Sequence, residues 1–196
     1  AAVLEGRLYV CGGHDGTEFR RSVERFDPAV GAWEALPALA QPRAEAAAAA
    51  LGGRLFVCGG VAGQAALASA ERLVPRAGAW EPLPPLAEAR YGACAAAVSG
   101  CLLVAGGYGA DDRVLGSIEF FDQEAWAWET LGPMRQPRAE AAAAVVAGRL
   151  YLCGGRDSEG TALTSAERYD PVEESWELLP PMRQGRALAV GVVIAD

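Results

Sequence analysis

Four times the chain runs an apolar segment into two adjacent glycines: RLYVCGG ending at Gly13, RLFVCGG at Gly60, CLLVAGG at Gly107 and RLYLCGG at Gly155. The pairs begin at residues 12, 59, 106 and 154. Tryptophans follow at Trp33, Trp80, Trp128 and Trp176, and arginines at Arg43, Arg90, Arg138 and Arg186, so every spacing is 47 or 48 residues. Ser22, Glu24, Glu34 and Leu36 also recur unchanged in all four units. A fixed period of this length means stacked copies of one supersecondary unit, each too small to bury its own apolar faces.

Each unit reads as four short strands. In the second unit strand A is AEAAAAAL from Ala44, B is RLFVCGG from Arg54, C is SAERLV from Ser69 and D is AWEPLPPL from Ala79. Turn chemistry separates them: Gly52-Gly53 after A, a variable glycine-containing loop after B, Pro75 to Gly78 after C and a proline-rich exit after D. Alanine is the strongest helix former, so AEAAAAA taken alone reads as helix. The equivalent stretches YGACAAAV and ALAVGVVI read as strand, and the repeat register overrides local propensity. Small side chains also suit strands that crowd a central axis.

Strand B is apolar without alternation, which requires burial on both faces. A four-stranded meander buried on both faces is sandwiched between copies of itself, as in radial repetition around a channel. The strand-D tryptophan is then the wedge between blades, removing ~150–250 Å² from water. The fold expected is all-β: a β-propeller with four four-stranded antiparallel blades over residues 1–196. The units fall at about 1–42, 43–89, 90–137 and 138–185, with 186–196 a final inner strand. That last strand either completes the first blade and closes a four-bladed ring, or the four units are part of a six-bladed one. The second arrangement is preferred, because an open arc exposes an apolar face at each end.

With 52% hydrophobic residues the chain can bury a large core, and a net charge of −8 argues against a nucleic-acid backbone as partner. No apolar run approaches the ~20 residues of a membrane-spanning helix. The five cysteines include no CxxC, and Cys11, Cys58 and Cys153 share a repeat position with Ala105. They read as small core residues and reduced thiols, which places the protein in the cytoplasm.

The double glycine, the later tryptophan and the period resemble the kelch repeat. GGHDG…SVERFDP…W and SAERYDP…W resemble in particular the kelch domains of BTB-kelch proteins. That resemblance implies a propeller that captures a peptide degron as substrate receptor of a cullin-RING ubiquitin ligase, through a BTB segment not contained in this sequence. The Asp-Pro is intact only in units one and four; the others read SAERLVP and SIEFFDQ.

Internal variation separates scaffold from site. Glutamates 24, 71, 119 and 167 and the four closing arginines recur in every unit, so pairing between strands or blades is their expected role. In an antiparallel meander the loop after B and the loop entering A emerge at the same end, and there the sequences differ: HDGTEFRR, VAGQAALA, YGADDRVLG and RDSEGTALT. The resemblance implies that the same rim lines the peptide pocket. The partner-binding candidates are His14, Asp15, Phe19, Arg20, Glu45, Tyr91, Tyr108, Asp111, Asp112, Glu140, Arg156 and Asp157, with Arg21 beside them. Arginines there meet carboxylates, aspartates meet basic groups and the aromatic rings supply flat apolar contact.

Catalysis is not expected, and neither is a cofactor. A single histidine, His14, supports neither a histidine-based metal centre nor a Ser-His-Asp set. GGYGADD lacks a Walker lysine. The alternatives are an actin-associated kelch scaffold and, through the paired Asp111-Asp112, a kelch-type sugar epimerase.

Overall fold

The computed structural model describes residues 1–75 and 77–193. Arg76, in the expected Pro75–Gly78 turn, and residues 194–196, at the end of the expected final strand, lie outside the described residues. The first blade is β1 (Ala2–Leu4), β2 (Arg7–Cys11), β3 (Val23–Asp27) and β4 (Ala32–Leu36). The second is β5 (Ala47–Leu51), β6 (Arg54–Cys58), then a small hairpin of β7 (Val61–Ala62) and β8 (Ala65–Ala66), then β9 (Ala70–Val74) and β10 (Ala79–Pro82). The third is β11 (Cys94–Val98), β12 (Cys101–Ala105), β13 (Ile118–Asp122) and β14 (Ala127–Leu131). The fourth is β15 (Ala142–Val146), β16 (Arg149–Cys153), β17 (Ala166–Asp170) and β18 (Ser175–Leu179). Every blade is an antiparallel meander in A-B-C-D order, and the inner strands are neighbours in the sequence β1, β5, β11, β15.

The alanine tract is strand, not helix: Ala47, Ala48, Ala49 and Ala50 pair with Cys58, Val57, Phe56 and Leu55. Ala47 and Ala49 are buried beside the next inner strand, where a longer side chain has no room. The double glycine is explained by close approach as well as by turning. Gly12, Gly59, Gly106 and Gly154 all lie at φ +63° to +68°, and a Cβ on any of them collides with the backbone oxygen of the arginine that enters the next blade. The second glycine of each pair then donates its N–H to that same oxygen, at 2.8–3.0 Å.

Those arginines form the joints between blades. Arg43, Arg90 and Arg138 are each no more than 1% exposed. Arg43 reaches Glu71 at 2.9 Å, the Gly59 carbonyl at 2.6 Å and the Ser69 carbonyl at 3.0 Å. Arg90 repeats this with Glu119, Gly106 and Ser117, and Arg138 with Glu167, Gly154 and Ser165. The glutamate's other oxygen accepts a backbone N–H from the preceding exit loop, Ala40 to Glu71 at 3.0 Å, Ala87 to Glu119 at 2.7 Å and Arg135 to Glu167 at 2.9 Å. The expected pairing of the recurrent charges is therefore what holds successive blades together.

The tryptophans wedge the same joints. Trp80 donates its indole N–H to the Pro37 carbonyl and Trp128 to the Pro84 carbonyl, both at 2.8 Å and both across a blade boundary. Trp176 is buried against Tyr169 in the third boundary, and its indole nitrogen has no partner; Gly132 stands where the first two boundaries have proline. Apolar layers fill the rest, for example Phe56, Cys58 and Leu86 of blade two against Leu102, Val104 and Phe121 of blade three.

Four expectations are corrected. Residues 187–193 of the expected final strand form no strand, because the described residues offer no strand B to pair with them. They do not complete the first blade, whose inner strand is β1 itself, paired Ala2 to Tyr9. Trp33 is not a buried wedge: it is 51% exposed, since no blade among the described residues packs on that side. For the same reason β2 alternates exposed and buried, whereas β6 and β12 are buried on both faces as expected.

The joint makes a quantitative prediction. Replacing Arg90 by Met leaves the Glu119 carboxylate buried without its cation, and breaking such a pair costs about 3–5 kcal/mol. Urea unfolding followed by tryptophan fluorescence is expected to show that loss for Arg90→Met. A loss under about 1 kcal/mol, the scale of an exposed pair, rejects the assignment.

Candidate functional site

The two variable loop positions meet as backbone pairs. The residue after each closing arginine bridges the residue after the next double glycine: Ala44 with Val61, Tyr91 with Tyr108 and Ala139 with Arg156. One residue further on, the backbones join from blade to blade. Gly92 N–H donates to Glu45 O at 3.0 Å, Glu140 N–H to Gly92 O at 2.8 Å and Leu188 N–H to Glu140 O at 3.0 Å. All four of these residues take left-handed φ, between +53° and +59°. The rim is thus a hydrogen-bonded chain whose backbone is fixed by the joints beneath it.

A cleft of about 630 Å³ opens on this rim, and His14, Phe19, Glu45, Tyr91 and Asp112 line it with Val61, Gln64 and Ala110. Tyr91 stacks on Tyr108 with ring centroids 5.1 Å apart, and its hydroxyl donates to Asp112 Oδ1 at 2.6 Å. Burial, then the hydrogen bond to Asp112, raises the Tyr91 phenol well above its ordinary value; burial and the nearby Glu140 raise Tyr108. Glu45 and Glu140 flank Gly92. Burial, then repulsion from Glu140, raises the Glu45 carboxyl above the usual carboxylate range. Glu140 accepts from Arg156 Nε at 2.8 Å, and Arg156 also holds its own loop through Gly160 O at 2.8 Å. His14 and Phe19 pack edge to face across the base of the first loop, 4.8 Å between centroids.

The remaining candidates sit elsewhere. Asp15 accepts from the N–H groups of Glu18 and Thr17, at 2.8 and 2.9 Å, and pairs with Arg20. These bonds, the one from Glu18 first, hold its carboxyl well below the carboxylate range. Asp157 accepts from Glu159 and Thr161 N–H in the same manner. Both aspartates shape their own loops. Arg21 is exposed. Asp111 turns away from its neighbour Asp112 into a separate cleft with Arg113 and Glu88. Val61 and Gln64, both in the variable rim loop VAGQAALA but not among the partner-binding candidates, are carried into the cleft by the β7–β8 hairpin; Gly92, which joins the rim backbones, was missed, and its glycine in a register of glutamates was the available signal. A second cleft, of about 610 Å³, is lined by Pro37, Arg43, Ser69, Glu71 and Trp80. These are repeated scaffold residues, so it is the outer seam of a joint.

Glu45 supplies a pH test. Its folded-state pKa is raised, so its ionisation opposes folding: the penalty is complete above that raised value, shrinks as pH falls through it and vanishes below the ordinary glutamate pKa of about 4.3. Glu45→Gln is therefore expected to raise Tm at pH 7 and to leave it unchanged near pH 4. A Tm gain equal at both pH values contradicts the assignment.

A family model described as the Kelch motif matches four times, over residues 1–40, 42–87, 89–135 and 137–183. Among solved structures the chain is similar to one described as "Structure of YjhT", with a TM-score of 0.81 and 18% identity over 95% of this chain and 66% of that one. It spans about two thirds of that chain's length, and at this identity the likeness is one of fold. Comparison with curated proteins finds no match. Four matches in step with the glycine pairs, the arginine joints and the tryptophan wedges place this protein in the kelch-repeat family, as four blades of a kelch propeller.

Proposed function

We propose that the rim cleft captures an extended segment of a partner protein, and that the chain acts by binding and not by catalysis. Kelch repeats suggest a protein-interaction propeller, and the observation that carries the finer reading is the rim itself. A backbone fixed by the joints presents Tyr91, backed by the Tyr108 ring, beside the carboxylates of Glu45 and Asp112. Rigid aromatic rings next to charge-assisted acceptors are the groups that dominate peptide recognition. With Glu45 and Asp112 facing the cleft, a segment carrying lysine or arginine fits it best.

The resemblance to BTB-kelch receptors supports a degron as the captured segment and a cullin-type ligase as the wider assembly. Five unpaired cysteines support a cytoplasmic setting. The epimerase alternative drew on Asp111 and Asp112 acting together; their carboxylates engage Arg113 and Tyr91 respectively, which favours the binding reading.

Selection of displayed peptides on the immobilised chain, followed by titration of the recovered sequences, tests this. Tyr91→Ala is expected to weaken the best peptide by about 2 kcal/mol, roughly 30-fold. Val172→Ser, in an exposed turn after β17, is expected to leave it unchanged. Peptides that bind both variants as well as the wild type place the site elsewhere, and turnover of sialic acid-type sugars by the wild type favours the enzyme reading.

A further inference from the structure

The three joints are built alike, but their outer seams differ. In the third, Arg135 of the exit loop lays its side chain along the next blade and donates from Nε to Trp176 O at 2.8 Å. In the second, the Trp126 ring of the β13–β14 turn crosses to blade two, where the Arg72 guanidinium lies 4.5 Å from its centroid. Each of these seams thus receives a flat, delocalised group from the chain itself. In the first seam the counterpart of Arg135 is Ala40 and that of Trp126 is Gly78. Both line the cleft of about 610 Å³ found there. A Cβ on Gly78 would meet nothing within 4 Å, so the turn leaves the seam open.

The first seam also holds the one joint guanidinium nitrogen without a partner among the described residues. Arg90 Nε donates to Glu88 O at 3.4 Å and Arg138 Nε to Glu167 Oε1 at 3.1 Å. Arg43 is 1% exposed, and its Nε is buried with no acceptor. The counterparts of those two acceptor residues are Gln41 and Glu71, and both line the cleft together with Arg43, which sets Nε toward the cleft floor. A buried donor without an acceptor costs free energy that a suitable ligand recovers. The charge of Arg43 is already met, by Glu71 at 2.9 Å. An acceptor is therefore wanted at Nε, and an anion is not. The walls are apolar: the Trp80 indole, whose N–H is given to Pro37 O, together with Pro82 and Leu83.

We propose that the first seam binds a small neutral molecule consisting of a flat aromatic ring that bears a carbonyl. The ring lies against Trp80 and the prolines, in the place that Arg135 and Trp126 take in the other seams, and the carbonyl accepts from Arg43 Nε. The cleft has the volume of a small-molecule site. A carboxylate fits less well, because it would stand beside Glu71 on a chain of net charge −8. The two clefts share no lining residue, so this site is additional to the rim.

Titration with benzamide, followed through the indole N–H resonances of the chain, tests the assignment. Trp80 reports on the cleft wall, and its signal is identified by its loss in Trp80→Phe. That signal is expected to shift saturably while those of Trp128 and Trp176, in the other two joints, stay in place. Ala40→Arg and Gly78→Trp install the residues of the third and second seams, and each is expected to weaken binding about tenfold or more. Gly78 lies at φ +60° and Trp126 at φ +55°, so the turn is compatible with the larger residue. Unchanged Trp128 and Trp176 signals serve as the folding control. Benzylamine, with a cation in place of the carbonyl, is expected to bind about tenfold more weakly than benzamide. A Trp80 signal that does not respond overturns the proposal, and so does a response that survives both filling variants. Equal binding of benzamide and benzylamine overturns it as well, and reports apolar adhesion alone.

Discussion

A buried guanidinium governs the architecture. Each of Arg43, Arg90 and Arg138 is stripped of water and bonds a carboxylate, a hydroxyl and two carbonyls of one blade while its own backbone oxygen is held by the preceding blade's glycine; Nε of Arg43 has no partner among the described residues. Such a site adds little stability compared with well-packed apolar residues of the same volume. Its effect is on geometry. Apolar layers such as Phe56 against Leu102 tolerate sliding, but a displaced arginine is a buried charge with no partner. One placement of each blade on its neighbour satisfies the joint, and the glycine whose Cβ would collide with the arginine oxygen enforces the same placement from the other side.

The rim inherits that precision. Because the arginine oxygen is fixed, the next residue is set to bridge the one after the following double glycine, and the residue beyond is forced into left-handed φ. Gly92 accepts that conformation without strain. Glu45 and Glu140 adopt it with a Cβ, at a cost of about 1–2 kcal/mol for an L-residue. Strained non-glycine residues cluster where a side chain is used. Here the two glutamates stand on either side of Gly92 at the mouth, one paired with Arg156 and the other facing the cleft. The rim varies its side chains freely while its backbone varies little, which is what a recognition surface on a repeat scaffold needs.

The period alone carried most of the fold. It overrode the helix propensity of Ala46–Ala50, assigned the strand order and marked the recurrent glutamates and arginines as pairing residues, without saying which glutamate meets which arginine. What it could not carry were effects of position within the array. Trp33, Leu8 and Val10 have the same sequence context as Trp80, Leu55 and Val57, and only the neighbour they lack makes them exposed. Residues 187–193 read as strand because a strand pattern does not say whether a partner strand is present. At the rim, variation between repeats pointed to the loops from which His14, Phe19, Glu45, Tyr91 and Asp112 meet in one cleft. It could not separate Asp112, which faces Tyr91, from Asp111, which faces Arg113, because that choice lies in one residue's left-handed φ of +60°. Nor could it show that Asp15 and Asp157 are engaged in folding their own loops.

The same construction bears on what the cleft is suited to do. Catalysis by general acids and bases gains most where water is excluded and charges act through a low dielectric. The cleft here is open, and Glu45 and Asp112 are exposed, so they act through solvent and discriminate by sign more than by strength. Open, rigid and mixed in character, it suits the ligand proposed above, a chain segment laid across several blades, each contributing one or two contacts. The repeat therefore matters twice, first in fixing the blades and then in spreading a recognition surface over their joined edges.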